Sequence, residues 1–136
     1  MKLHVDIVSA EGEIFSGDAK MVFAPAVMGE VGIAPRHAPL LTQLKPGAVR
    51  VRDEQGNDES IFVNGGILEV QPHHVTVMAD SAERAADIDE ARAVEAQRAA
   101  EEAVANAKGD VDLARAQAEL VEAAARLHLL KKIKGR

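Results

Sequence analysis

The side chains with most scope for chemistry are five histidines, and they do not assemble into a recognised metal pattern. His73 and His74 are neighbours, His37 lies in a turn-rich stretch, and His4 and His128 stand isolated. Consecutive strand residues point to opposite faces, so His73 and His74 are poorly placed to share one ion. Neither H-E-x-x-H nor a Cys/His spacing occurs, and there is no cysteine. No metal site is expected. G-x-S-x-G, a Ser/His/Asp constellation and a Walker-type phosphate loop are also missing. Gly65-Gly66 reads as a bulge or tight turn. Catalysis by this chain alone is not expected.

The stretch from Gly29 to Leu41 is the most heavily shaped part of the sequence. It sets two glycines, two prolines and His37 between two strand-like runs. Glycine opens backbone shapes that other residues resist, and proline fixes φ and removes a donor. The stretch is either a plain strand corner or a loop built to present Glu30, Val31, Gly32 and His37 to something. His37 is expected to hydrogen-bond within the loop rather than act as a base.

The elements that position these residues fall into two parts, 1–86 and 87–136. The first is rich in Val, Ile, Gly and Pro. Leu3–Val8 and Ala48–Arg52 alternate apolar and polar residues, as half-buried strands do. The run Lys20–Ala24 is expected to end at Pro25, and turn signals at Lys45-Pro46-Gly47, Glu54–Asn57, Asn64–Gly66 and Gln71–His73 separate further short strands. Eight to ten strands predict an antiparallel sandwich or flattened barrel.

The second part is rich in Ala, Glu and Arg and predicts two helices. Asp87 is expected to cap the first, with Glu90 three residues on, and the helix to run to about Lys108. Gly109 then fits a C-terminal cap and Asp110 starts the second helix. Leu113, Ala116, Leu120, Ala123, Leu127 and Leu130 fall on one face, against Ala93, Ala96, Ala100, Ala103 and Ala107. Such an alanine seam buries little area, so the hairpin is expected to be marginal alone.

Composition narrows the function. A formal net charge of −6 argues against general nucleic-acid binding. No run approaches the apolar length of a membrane span, and the N-terminus lacks the apolar run of a signal peptide.

Several motifs share one resemblance. G-E-V-G-I-A-P-R-H-A-P-L-L at 29–41 resembles the G-E-x-G-I-x-P-x-H-A-P-L-L signature of the epsilon subunits of F-type ATP synthase. Leu44–Gly47, Asn64–Pro72, Val75–Asp80, Asp89–Ala93 and Gly109–Asp112 resemble further blocks of that family, in the same order. The resemblance implies a ten-stranded sandwich followed by an antiparallel helical hairpin. It implies a non-catalytic rotor subunit that couples proton flow to ATP synthesis and restrains hydrolysis through its helices. Expected partners are the gamma subunit, the c-subunit ring and, through the helices, the alpha and beta subunits. The expected place is peripheral, on the cytoplasmic face of a bacterial inner membrane. The related mitochondrial delta subunit shares the fold, and the missing transit peptide points to a bacterial or plastid source.

Residue roles follow from the same resemblance. Glu30, Val31, Gly32 and His37 fall where the family meets the c ring. Ile88-Asp89-x-x-Arg92-Ala93 resembles the motif with which some bacterial members bind regulatory ATP, aided by arginines such as Arg98, Arg115 and Arg126. Asp89 and Arg92 share a helix face, and an arginine fork suits phosphate. Equally, Asp89 can satisfy backbone donors and pair with Arg92, and Glu122 would repel phosphate. No cofactor is otherwise required. Lys131, Lys132 and Lys134 complement the helix dipole and also suit an acidic segment of the beta subunits. A free-standing sandwich enzyme would need convergent polar groups that the sequence lacks. A generic adaptor would not co-purify with a gamma subunit and c ring.

Overall fold

The computed structural model describes residues 1–134. The chain divides between Ala85 and Ala86 into two compact units. The first holds ten strands: β1 (Leu3–Ser9), β2 (Gly12–Ala19), β3 (Met21–Ala26), β4 (Gly29–Ile33), β5 (Leu40–Leu44), β6 (Gly47–Arg52), β7 (Asp58–Val63), β8 (Gly66–Gln71), β9 (His74–Ala79) and β10 (Ala82–Arg84). The second holds α1 (Glu90–Ala105) and α2 (Asp110–Lys134). This is the expected all-β sandwich followed by a helical hairpin.

The strands lie in the order β10-β7-β6-β3-β5-β8-β9-β1-β2, with β4 paired to β3. Pairing is antiparallel except between β1 and β9, which run parallel with His4 opposite His74. The two ends of that order meet, because Arg84 on β10 donates to the Ile14 carbonyl on β2 at 2.6 Å. Alternation decides what faces inward. Leu3, Val5 and Ile7 of β1, Leu68 and Val70 of β8, and Val75 and Val77 of β9 are all fully buried in one core. Their alternate neighbours stay partly or wholly exposed. With aromatics scarce, these branched side chains fill the space between layers.

Gly66 shows how tightly β8 and β9 approach. Its φ is +127°, and a Cβ there would lie 2.2 Å from the Met78 carbonyl oxygen. No other residue fits that position. The expected break at Gly65-Gly66 is therefore a close backbone approach at the start of a strand.

Several expected boundaries shift. The shaped stretch 29–41 is not one loop. Gly29–Ile33 forms β4, hydrogen-bonded to β3, and residues 34–39 connect it to β5. β3 also continues through Pro25, which is buried and whose carbonyl accepts from Lys45. The cap of α1 is Asp89 rather than Asp87, with Oδ1 accepting from the Arg92 backbone N–H at 3.2 Å. Residues Ala85–Asp87 form a 3-10 turn before it. α1 ends at Ala105, so Gly109, with φ +87°, belongs to the start of α2 rather than to the end of α1. The helical seam is narrower than its spacing implied. Ala93, Ala100, Ala116, Ala123, Leu127 and Leu130 are buried, but Ala96 and Ala103 are exposed. The end of the expected basic tail, Gly135 and Arg136, lies outside the described residues, as does the Lys134 side chain.

Candidate functional site

The outer face of β3, β4, β6 and β7 carries a charged cluster around Phe23. Arg50 and Arg52 occupy alternate positions on β6, so both guanidinium groups leave the same face. They lie 4.3 Å and 4.9 Å from the Phe23 ring centre, within cation–π range. Arg52 grips Asp58 with both Nε (2.8 Å) and Nη2 (3.2 Å), while Arg50 Nη1 donates to the same carboxylate at 3.1 Å. Hydrogen bonding from Arg52 above all, then from Arg50, holds the Asp58 carboxyl below its usual range. Arg50 also reaches outward, with Nη2 3.5 Å from Glu30 Oε1. Glu30 is thus the exposed end of an ordered chain of charges.

Glu30, Val31 and Gly32 therefore sit on strand β4, not in a flexible loop. Glu30 and Gly32 face outward and Val31 packs against the core. Gly32 leaves room for Phe23, whose ring carbon lies 3.3 Å from where a Cβ would stand. His37 lies apart from them, in the connection after β4. Its Nδ1 donates to the Ala38 carbonyl at 2.6 Å, so it shapes its own loop as expected. Arg36 holds a left-handed φ of +71° after Pro35, and its backbone N–H ties the loop to the Pro72 carbonyl at 2.8 Å. The β3–β4 turn adds exposed Val27 and Met28, and Val27 bonds to Gln43 of β5. Leu41 on β5 is 69% exposed. The exposed apolar turn that leads into the strand of an ordered carboxylate is a feature suited to a partner.

On the hairpin, Ile88, Asp89 and Ala93 of the Ile88–Ala93 motif have structural roles. Ile88 and Ala93 pack with Leu127 and Leu130 of α2. Asp89 caps α1, and its partner is the backbone of Arg92. The Arg92 side chain is exposed. Antiparallel packing thus brings the first turn of α1 beside the stretch of α2 that follows Arg126. Arg126 donates to Glu122 at 2.9 Å, beside an open groove of about 320 Å³ that Glu119 also lines. Arg98 is engaged by Glu95 and Glu102. These carboxylates occupy the donors that a phosphate would need.

A third cluster escaped the sequence reading, which left His4 isolated. The structure sets His4 against His74, their rings edge to face with centres 5.2 Å apart. Asp6 lies between them, with Oδ1 3.2 Å from His4 Nε2 and Oδ2 2.9 Å from His74 Nε2. His4-x-Asp6 is a same-face spacing on a strand, but His74 arrives through the non-local β1–β9 pairing.

Residues 2–85 match the family model described as ATP synthase, Delta/Epsilon chain, beta-sandwich domain. Residues 86–131 match its companion, the long alpha-helix domain. The chain belongs to the delta/epsilon family of ATP synthase subunits. Among curated relatives, the ATP synthase epsilon chain of Nitrosococcus oceani is 60% identical over 134 residues, covering 98% of this chain and 96% of that one. The epsilon chain of Thioalkalivibrio sulfidiphilus is 61% identical over 135 residues, with the same coverage. Both are bacterial, so the chain is an epsilon subunit of the bacterial type, an accessory subunit and not a catalytic one. The fold recurs in solved assemblies. A chain of the Euglena gracilis mitochondrial ATP synthase, in an OSCP/F1/c-ring structure, superposes with TM-score 0.85 at 18% identity, over 95% of this chain and 81% of that one. One from the Tetrahymena thermophila central stalk and c ring gives 0.66 at 13% identity, over 96% and 97%. No described helix of this epsilon-family chain is long and apolar enough to cross a membrane.

Proposed function

We propose that this chain is a central-stalk rotor subunit whose sandwich grips the gamma subunit and the c ring and whose hairpin restrains ATP hydrolysis. The observation that carries this reading is the contrast between its two units. The sandwich has a continuous core of large apolar side chains and an ordered outer face at Glu30, with exposed Val27 and Met28 in the turn just before its strand. The hairpin is a separate unit whose buried side chains are four alanines and three leucines, the leucines all near the end of α2. A firmly built anchor joined to a thinly sealed arm suits a part that stays bound while the arm changes position. Exposed Lys131 and Lys132 near the end of α2 supply the charge for an acidic segment of a beta subunit, and Lys134 extends that run. Attachment through partners places the protein peripherally on the cytoplasmic face of the bacterial membrane. No cofactor is needed for this role. Regulatory ATP would enter the groove beside Arg126, where Glu119 and Glu122 oppose its phosphates, so its affinity is weak.

The test is ATP hydrolysis by the cognate F1 complex, carrying either the full chain or one ending at Asp87. Assembly with faster hydrolysis in the truncated form is the expected result. Unchanged hydrolysis would remove the inhibitory role, and failure of both forms to bind the complex would remove the rotor role.

A further inference from the structure

We propose that His4, Asp6 and His74 bind a divalent transition cation of the Zn²⁺, Co²⁺ or Ni²⁺ kind on the outer face of β1 and β9. One ligand atom from each residue lies within 4.8 Å of the other two. A tetrahedral site with bonds of about 2.0–2.1 Å needs its ligand atoms about 3.3 Å apart. Each imidazole already lies near that spacing from one oxygen of Asp6, His4 Nε2 at 3.2 Å from Oδ1 and His74 Nε2 at 2.9 Å from Oδ2, and a turn of the carboxylate brings a single oxygen toward both. The remaining His4–His74 edge closes by small side-chain rotations, and both side chains are nearly half exposed and free to make them. Two imidazole nitrogens with one carboxylate oxygen suit borderline cations rather than Ca²⁺ or Mg²⁺.

The surrounding residues form the support that such a site uses. Ser16 on β2 donates to Asp6 Oδ1 at 2.7 Å and fixes the carboxylate plane. Its Oγ also lies 3.3 Å from His4 Nε2. Asp18 on β2 sits 3.4 Å from His4 Nδ1, placed to accept that nitrogen's proton when Nε2, which faces Asp6, holds a metal. A carboxylate behind a ligating histidine is the usual means of fixing its tautomer and raising its basicity. Lys2 pairs with the other oxygen of Asp18 at 3.7 Å and is exposed, so it weakens the local negative field only slightly. The sheet backbone already holds the three ligands in place, because His4 and His74 are register partners and Asp6 is two residues along. A bound ion would clip the parallel pair β1–β9 together from outside.

The experiment is a Zn²⁺ titration of the full chain at about pH 7.5, followed by calorimetry and by the imidazole NMR signals. One saturable site is expected, with the His4 and His74 rings shifting and His73, His37 and His128 unmoved. His74→Gln and Asp6→Asn should each weaken binding at least about tenfold, while His73→Gln leaves it unchanged. Saturating Zn²⁺ should raise the thermal midpoint of the parent chain and not that of His74→Gln. Circular dichroism of each variant without metal shows that the fold is intact. The proposal fails if no saturable binding occurs up to ~1 mM free Zn²⁺. It fails equally if His74→Gln binds like the parent, or if the shifting rings are those of His73, His37 or His128.

Discussion

Shortening Leu127 to alanine should loosen the helices and leave the strands alone. The buried side chains of the hairpin are Ala93, Ala100, Ala116, Ala123, Leu127, Leu129 and Leu130. A buried methyl contributes about 0.8 kcal/mol and a buried leucine about 2 kcal/mol, so Leu127 supplies about a fifth of a thin seam. It is 7% exposed and packs with Ala93, Leu130 and Ile88. Truncation removes those contacts and leaves a gap that alanines cannot fill, at a cost of about 2–3 kcal/mol. At 1.4 kcal/mol per tenfold, the opening constant of the hairpin rises roughly 30- to 140-fold. Hydrogen exchange followed residue by residue is the assay. Amides of α1 and α2 should lose protection by that factor, whereas those of β1, β8 and β9 keep theirs, since their core draws on sandwich residues. Val94→Ala, at a half-exposed position on α1, should change protection less than about twofold. Equal loss in helices and strands would show one cooperative structure and refute the argument. So would unchanged helix protection.

Three further outcomes follow from particular contacts. Gly66→Ala should cost about 3–5 kcal/mol in urea unfolding, because a Cβ meets Met78 backbone at 2.2 Å, whereas Gly56→Ala, with φ +86° and open space, should cost about 1 kcal/mol. Asp58 has a folded pKa depressed from 3.8 by Arg52 and Arg50, so it adds stability that is present above that value and lost as pH falls through the folded one. Asp58→Asn should therefore be less stable at neutral pH and show a flatter fall in midpoint below about pH 4. Glu122→Gln breaks the 2.9 Å ion pair with Arg126 and removes one negative charge from the groove. It should raise ATP affinity in calorimetry about fivefold, equivalent to about 1 kcal/mol.

How much was legible depended on the range of the signal. Strand alternation and the Ala-rich helices are local patterns, and both parts of the fold followed from them. Boundaries failed where a local signal had two meanings. Pro25 looks like a strand stop, yet β3 passes through it, because Pro25 stands opposite Glu30 of β4 and its carbonyl accepts from Lys45. Asp87 and Asp89 can both cap a helix, and the choice went to the residue whose oxygen reaches Arg92 N. Alanine spacing could not tell Ala96 from Ala100, since only packing against α2 decides which methyl is covered. Glu30 was legible as a presented residue through the family resemblance, but its partner was not. Arg50 is twenty residues away and meets it across β3.

The same alternation that builds the core also assembles the polar clusters. Val5 and Ile7 are buried because odd positions of β1 face inward. The same rule turns His4 and Asp6 outward together, and β9 repeats it with Val75 and Val77 in and His74 out. On the other side of the sheet, Val49 and Val51 point in while Arg50 and Arg52 point out onto Phe23. A register slip of one residue would therefore bury Arg50, Arg52, His4 and Asp6 and expose the valines. Burying those charges costs far more than the lost apolar area alone. Outward charges thus help to fix the register of the strands that carry them, and the polar outer face is specified by the same alternation that keeps the core in place.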